Sequence, residues 1–370
     1  MHLRNSRFLF ALIAFLFIHL ASGAQGTPEP KPGTDTGTGA SPSASPSSSP
    51  AAPQDQSQQL RTQPTPSTPN QAAPPEAQSP PPPTNDSGVF VFKKEVEEVV
   101  LHATVVDEKM RLITTLDRGA FNVFENDQPQ TITSFRHEDV PVAMGIVIDN
   151  SGSMREKRDK VNKAALNLVR SSNPQDQVFV VNFNDEYFLD QDFTGDIKKL
   201  QQALEKVEAR GGTALYDAMV ASADYMKKNA KLQKKVLFVV TDGEDNASTD
   251  TLEQAIRQLQ QENGPTVYAI GLLGEERARR ARRALETMAE RTGGIAFLPK
   301  TLDEVDDISR TVAHDIRNQY TIGYKPKTPK SVGGYRTIRV DARAKGYKKL
   351  SVRTRTGYYP GQEHAPGGAP

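Results

Sequence analysis

The fold of this chain is decided by the stretch Val142-Ala-Met-Gly-Ile-Val-Ile148 and by the residues directly after it, Asp149-Asn-Ser151-Gly-Ser153. The first part is apolar throughout, which is typical of a strand buried on both faces of a parallel sheet. The polar part then lies at the carboxyl end of that strand, where open α/β sheets bind their ligands. The stretch therefore predicts a central parallel strand with a candidate site at its end.

Apolar runs and segments of helical period alternate after this strand. The predicted helices span 155–170, 196–207, 214–228, 251–262, 277–291 and 302–317, and the predicted strands span 178–183, 236–241, 267–272 and 295–298. This alternation predicts a doubly wound, mostly parallel α/β sheet of Rossmann-like type with right-handed crossovers. We expect this domain to occupy residues 141–319.

Two β-rich segments flank the α/β domain. The first, 88–140, has predicted strands at 99–106, 121–125 and 131–135, and the second, 320–359, has predicted strands at 320–324, 335–340 and 350–354. Turn-forming residues separate the strands in the first segment. We expect the two segments to pair into one small antiparallel β module, so that the chain enters and leaves the α/β domain on the same side.

The first 87 residues are predicted to contain no folded domain. Residues 1–23 combine basic residues, an apolar run and small residues, the pattern of a secretory signal peptide, and the run is short for a permanent membrane span. Residues 24–87 hold 16 of the 26 prolines and are predicted to be a disordered linker, and 360–370 a disordered tail. An uncleaved anchor is the alternative for the first segment. Either way the protein is expected outside the cytoplasm, secreted, periplasmic or attached to the cell envelope.

Composition excludes several classes of function. The 46 basic and 45 acidic residues leave a net charge of +1, so global charge does not indicate a nucleic-acid partner. The absence of cysteine excludes disulfides, thiolate metal sites and a lipoprotein anchor. No nucleophile elbow, Walker A sequence or Gly-x-Gly-x-x-Gly turn is present, and His102, His137 and His314 lie away from the predicted strand ends. We expect that the protein is not an enzyme.

Three polar segments are predicted to meet at one edge of the sheet. Asp149-x-Ser151-x-Ser153 ends the first strand, Asp242 follows the strand that ends at Thr241, and Thr213 follows the Gly211-Gly212 turn. Hydroxyl and carboxylate oxygens suit a hard divalent cation such as Mg²⁺ or Mn²⁺. The pattern therefore predicts a divalent-metal site.

Together these five residues, in this order and on these elements, resemble the metal-ion-dependent adhesion site of the von Willebrand factor A family. The resemblance covers about 142–317. It implies Ser151 and Ser153 as direct metal ligands, Asp149 and Asp242 as direct or water-mediated ligands, and Thr213 as a ligand that depends on conformational state. It also implies an open coordination position that attracts a carboxylate from a protein or other partner, and hence a binding or adhesion function.

A second resemblance concerns the flanking segments. Phe121-Asn-Val-Phe-Glu-Asn-Asp127, Ile132-Thr-Ser-Phe135, Tyr320-Thr-Ile-Gly-Tyr324 and Thr356-Gly-Tyr-Tyr359 are similar to the von Willebrand A-related secreted proteins common in acidobacteria. This resemblance implies architecture rather than function.

Two alternatives remain open at this point. The residues of the site could instead cap helices, with Asp149, Ser151 and Ser153 capping a helix near Arg155 and Thr213 capping its own. Separately, residues 325–355 hold eleven Lys or Arg and one acid, and the 277–283 segment adds five more basic residues. They could bind an acidic envelope polymer without metal, or form the solvated face of β-strands. Glu244, Asp245 and Asp217 are expected near the site but not as ligands.

Overall fold

The computed structural model of the protein describes residues 98–206, 208–273 and 278–361. The predicted signal peptide (1–23), the linker (24–87) and residues 362–370 of the tail lie outside this part of the chain. Within it, no helix is both long enough and apolar enough to cross a membrane.

The described elements alternate much as the sequence predicts. In chain order the strands are β1 (Val99–Asp107), β2 (Phe121–Glu125), β3 (Gln128–Gln130), β4 (Ile132–Arg136), β5 (Val142–Asp149), β6 (Gln177–Phe183), β7 (Tyr187–Thr194), β8 (Lys234–Thr241), β9 (Thr266–Gly271), β10 (Ala296–Phe297), β11 (Tyr320–Tyr324), β12 (Arg336–Ala342), β13 (Leu350–Arg353) and β14 (Gly357–Tyr358). The helices are α1 (Arg158–Ser171), α2 (Ile197–Glu205), α3 (Leu215–Asn229), α4 (Leu252–Leu259), α5 (Ala278–Thr292) and α6 (Glu304–Arg317).

A six-stranded sheet of order β10-β9-β8-β5-β6-β7 forms the centre of the α/β domain. All its neighbouring pairs are parallel except β6 with β7. Every residue of β5 is buried, as its apolar run predicts. One face of the sheet packs against α1, α2 and α6 and the other against α3, α4 and α5. The doubly wound, mostly parallel architecture is therefore confirmed.

Strand β7 is the main element that the sequence analysis missed. Its side chains are exposed or half-buried, and it pairs antiparallel with β6 at the edge of the sheet. A solvated edge strand needs no continuous apolar run, so it carries a weak sequence signal. The first helix also begins later than predicted, at Arg158 instead of 155. Before it, the chain forms a short 3₁₀ turn, Gly152–Met154, that buries Met154.

The two flanking segments interleave in the β module. One four-stranded sheet has the order β13-β1-β11-β4 and the other β14-β12-β2-β3, so each mixes strands from before and after the α/β domain. The register pairs Val99 with Tyr324 and Val123 with Val340, all antiparallel. The expected pairing of the two segments is thus observed. Strand β3 was missed because it contains Pro129 in a stretch with the composition of a turn.

A buried polar cluster lies between these two sheets. The Glu125 carboxylate accepts hydrogen bonds from the hydroxyls of Tyr324 (2.6 Å) and Tyr358 (2.9 Å) and lies 3.5 Å from the Arg336 guanidinium. Burial raises the pKa of Tyr324, and the hydrogen bond to Glu125 raises it further. Because Arg336 is 2% exposed, Glu125 supplies the carboxylate that compensates a buried charge.

We expect Glu125→Ala to lower the free energy of unfolding by about 3–5 kcal/mol, because it leaves Arg336 buried without its carboxylate. Urea unfolding would measure the loss. The matched control is Asp341→Ala, which removes a partly exposed partner of Arg339 and should cost less than about 1 kcal/mol. Equal losses in the two variants would contradict this account of the cluster.

Candidate metal centre

The site begins where two neighbouring parallel strands end. Strand β5 ends at Asp149 and β8 at Thr241, and their pairing places the two residues side by side. The Asp149 carboxylate accepts a hydrogen bond from the Thr241 hydroxyl (2.6 Å) and one from the backbone N–H of Ser151 (2.7 Å). Both oxygens of a completely buried carboxylate are thereby oriented by neutral donors.

The two serines connect Asp149 to Asp242. The Ser151 and Ser153 hydroxyls are 3.2 Å apart, and Ser153 donates a hydrogen bond to one Asp242 oxygen at 2.7 Å. The other Asp242 oxygen forms an ion pair with the Lys157 ammonium group. Four of the five predicted ligands therefore lie in one continuous chain of contacts. Lys157 was missed by the sequence analysis.

The third segment reaches the same edge through backbone contacts. Gly152 N–H donates to the Gly211 carbonyl (3.2 Å), and Gly211 adopts a φ of +74°, as the predicted turn requires. A Cβ added at Gly243 would lie 3.1 Å from the Thr213 hydroxyl oxygen. Thr213 thus faces the residue that follows Asp242.

Two further side chains that the sequence analysis missed hold this third segment. The Asn246 side-chain oxygen accepts from the Thr213 N–H (2.9 Å), and Asp185 accepts from the Gly212 N–H (2.7 Å). Asp185 comes from the β6–β7 turn and Asn246 from the loop after β8. No spacing rule connects them to Thr213, because only the folded chain brings these loops together.

The helix-capping alternative is wrong for this site. The 3₁₀ turn after Ser151, helix α1 and helix α3 all begin without a side-chain cap from their own N-cap residue. The first amides of α3 are instead satisfied by another loop, since Tyr216 N–H donates to Asp245 (3.0 Å) and Asp217 N–H to Ser248 (3.1 Å). The Thr213 hydroxyl is therefore not used as a cap.

The remaining acidic residues near the site have other partners. Asp217 accepts hydrogen bonds from the backbone N–H groups of Thr249 (2.9 Å) and Asp250 (2.8 Å), and Glu244 lies 3.2 Å from Arg280. These contacts and those of Asp245 fix the loop after β8. Within the described ranges, no cluster of three or more His, Asp or Glu is close enough to hold a metal. Any ion at this site would therefore depend on the hydroxyl groups as well as on two carboxylates.

The environment of Asp149 fits a divalent ion. Burial raises the pKa of its carboxyl group, hydrogen bonds from Thr241 and Ser151 lower it, and the nearby charge of Asp242 raises it. No cation contacts Asp149 among the described residues, and the adjacent Asn150 side-chain oxygen is buried without a hydrogen-bond partner. Two carboxylates and three hydroxyls, all oxygen donors, are the chemistry that Mg²⁺ and Mn²⁺ prefer.

Eight of the eleven basic residues of the carboxyl-terminal segment fall into two groups. Arg336 and Arg355 are buried, Arg353 pairs with Asp315 (2.6 Å), and Lys330 pairs with Glu262 (2.9 Å). The second group, exposed in the loop between β12 and β13, comprises Arg343, Lys345, Lys348 and Lys349; we call it the basic loop. Arg336 and Arg355 are therefore interior charges that a surface polymer cannot contact.

The three described histidines are distant from the metal centre. His102 lies on β1 of the β module, where burial, with the charges of Lys234 and Arg355, lowers its pKa to about 3. His137 contacts the ring of Tyr320, and His314 lies near the end of α6. None of the three is placed to exchange protons with a ligand at the ends of β5 and β8.

Comparison with known proteins gives matches to part of the chain. A family model described as "von Willebrand factor type A domain" matches residues 144–244. Integrin alpha-11 is similar over 82 residues, with 39% identity in Mus musculus and 38% in Homo sapiens. Each match covers 21% of this chain, and the chain spans only 7% of the length of these curated relatives.

Two solved structures also resemble the chain. A von Willebrand factor type A protein from Catenulispora acidiphila has a TM-score of 0.44 and 14% identity, over 73% of this chain and 75% of that one. The vWF domain of the type V pili tip protein Mfa5 from Porphyromonas gingivalis has a TM-score of 0.40 and 15% identity, over 48% of this chain and 97% of that one.

A pair of threonine substitutions tests whether Thr213 is a helix cap. Thr251 caps α4 through a capping box with Gln254, so Thr251→Val should cost about 1 kcal/mol of unfolding free energy. Thr213→Val in EDTA should change it by less than about 0.5 kcal/mol, because no cap is lost. Urea unfolding of both variants measures the difference. A loss at Thr213 as large as that at Thr251 would restore the capping interpretation.

Proposed function

This chain carries a von Willebrand factor type A domain, and on that premise we propose that it is a non-catalytic binding protein that uses a divalent cation to engage a carboxylate of its partner. The observation that supports this proposal is the convergence of Asp149, Ser151, Ser153 and Asp242 in one chain of contacts, with Thr213 beside them. Ser151 and Ser153 would hold the ion, and Asp149 and Asp242 would neutralise part of its charge. When bound, the Mg²⁺ or Mn²⁺ ion supplies an open coordination position for an external oxygen.

The location of the site supports binding rather than turnover. Ser153 is exposed at the sheet edge, whereas Asp149 and Ser151 are buried beneath it. A partner can therefore approach from the Ser153 side and add its carboxylate to the ion. The described histidines lie elsewhere, so no histidine base faces this edge.

We further propose that the protein acts outside the cytoplasm. The proposal rests on the sequence of residues 1–23, which has the pattern of a secretory signal peptide. A proline-rich segment (24–87) would then separate the binding domain from its point of attachment, or from the processed end of the chain.

Metal-dependent stability tests the proposed site. At 100 times its dissociation constant, an ion bound only by folded protein should add about 2.7 kcal/mol of stability. We expect Mg²⁺ or Mn²⁺ to raise the melting temperature of the wild type above its value in EDTA. The melting temperature of Asp149→Ala should not respond to either metal. Thermal unfolding with graded metal measures this.

The matched control for that experiment is Asp159→Ala, which removes an exposed carboxylate of α1 that lies outside the chain of contacts. It should respond to metal as the wild type does. The metal-site proposal fails if metal raises the melting temperature of Asp149→Ala as much as that of the wild type. It also fails if saturating metal changes the melting temperature of none of the three proteins.

A second candidate function is metal-independent binding of an acidic polymer. The observation that favours it is the basic loop, whose four cations are exposed within ten residues of one another. Such a cluster attracts polyanions by contacts that salt screens.

Heparin resin tests this second function. We expect the wild type to be retained in EDTA and released by salt, and a variant with all four cations of the basic loop changed to Gln to elute at lower salt. The control variant changes the four exposed arginines of α5 to Gln: Arg279, Arg280, Arg282 and Arg283. Equal retention of the loop variant and the wild type would exclude the basic loop as the binding surface.

A further inference from the structure

We propose that the Lys157 ammonium group takes the place of a metal cation in the candidate metal centre. It neutralises Asp242 in the metal-free protein and must be displaced when a divalent ion binds. Lys157 thereby sets the divalent affinity of the site. This inference rests on the proposed metal-binding function and adds a residue that the predicted ligand set does not contain.

The first support is the position of the ammonium group. Lys157 contacts the Asp242 oxygen that does not accept the Ser153 hydrogen bond, so both oxygens of this carboxylate are engaged. The Asp242 side chain has no exposed surface, whereas 29% of the Lys157 side chain is exposed. The lysine therefore covers the carboxylate and has a direct route to solvent when it leaves.

The second support is the difference between the two carboxylates. Asp149 is oriented by the neutral donors Thr241 and Ser151 and has no cation in contact. The Asp242 carboxylate, in contrast, contacts the positively charged Lys157 ammonium group. In the metal-free state one of the two carboxylates is thus compensated within the chain, and the other remains for the incoming ion.

The third support is the backbone that carries the lysine. The N–H of Lys157 donates to the Met154 carbonyl (2.9 Å), and its own carbonyl accepts from Val161 N–H (3.1 Å). The short turn after Ser153 therefore fixes the start of the lysine side chain beside the metal loop. Only the four-carbon stem has to rotate to release Asp242, so displacement requires no unfolding of α1.

The Lys157 ammonium group and a divalent ion would compete for the position beside Asp242, because both are positively charged. A divalent ion held by Ser151 and Ser153 would lie close to Asp242, because the Ser153 hydroxyl is already 2.7 Å from that carboxylate. Like charges at such separation repel strongly wherever water is partly excluded. The Ser153 hydroxyl can keep donating to Asp242 while its lone pairs face the ion, but Lys157 cannot keep its position.

The experiment compares Lys157→Gln with Lys160→Gln in the full chain. Lys160 is the matched control because it lies three residues after Lys157, in the first turn of α1, and pairs with an exposed carboxylate, Asp303, at 2.7 Å. Mn²⁺ binding at constant ionic strength is measured by calorimetry or by the electron paramagnetic resonance signal of the free ion. Melting temperatures in EDTA are measured on the same samples.

The expected signature is a pair of effects of opposite sign. Lys157→Gln should bind Mn²⁺ about ten- to a hundredfold more tightly than the wild type, since no cation has to be displaced. In EDTA the same variant should melt at a lower temperature, because Asp242 loses its charge partner. Lys160→Gln should match the wild type in both measurements, and Lys157→Arg, which keeps the charge, should keep the weak affinity.

The outcomes separate the inference from the function on which it rests. If the wild type binds Mn²⁺ and Lys157→Gln binds it with the same affinity, the inference is overturned and the metal site stands. If only Lys157→Gln binds, the inference is supported in its strongest form. If neither protein binds, or if Asp149→Ala binds as the wild type does, the proposed metal function falls and this inference falls with it.

Discussion

The parallel pairing of β5 with β8 brings two strand ends side by side, and the candidate metal centre depends on that register. It places Asp149 against Thr241, whose hydroxyl orients the buried carboxylate at 2.6 Å. A shift of one residue would move the polar strand ends to the opposite faces of the sheet. Every residue of β5 is also buried between two layers of helices. The stability of the core and the position of the site are therefore set by the same strand pair.

Compensation of buried charge is the second theme of the structure. In the β module, Arg336 and Glu125 are each 2% exposed, and two tyrosine hydroxyls donate hydrogen bonds to the Glu125 carboxylate. At the candidate metal centre, Asp149 accepts hydrogen bonds from neutral donors and contacts no cation among the described residues, and Lys157 pairs with Asp242. A buried carboxylate without a positive partner is costly unless an ion completes it. The Arg336–Glu125 pair therefore stabilises the β module. Asp149, which lacks a contacting cation, lies where an exchangeable ion could bind.

The β module shows what local patterns can and cannot predict. The strands at 320–324 and 121–125 have the bounds that their sequences indicate: the first is almost entirely buried, and the second alternates between buried and more exposed positions. Strand β3, which contains Pro129, and the exposed edge strand β7 have no such signal and were missed. Composition alone also overestimates the number of basic residues at the surface, because Arg336 and Arg355 are buried. A sequence records charge but not the direction in which a side chain points.

The sequence by itself determined the alternation of buried strands and helices in the α/β domain, the burial of β5 and the residue types of the candidate site. These follow from periodicity and from the position of Asp149, Ser151 and Ser153 directly after an apolar run, which are local properties of the chain. Tertiary structure alone decided that Asp185 and Asn246 hold the segment of Thr213, and that Lys157 closes on Asp242. The physical reason is distance along the chain: Lys157 and Asp242 are 85 residues apart, and only the packing of helices and loops around the sheet brings their charges together.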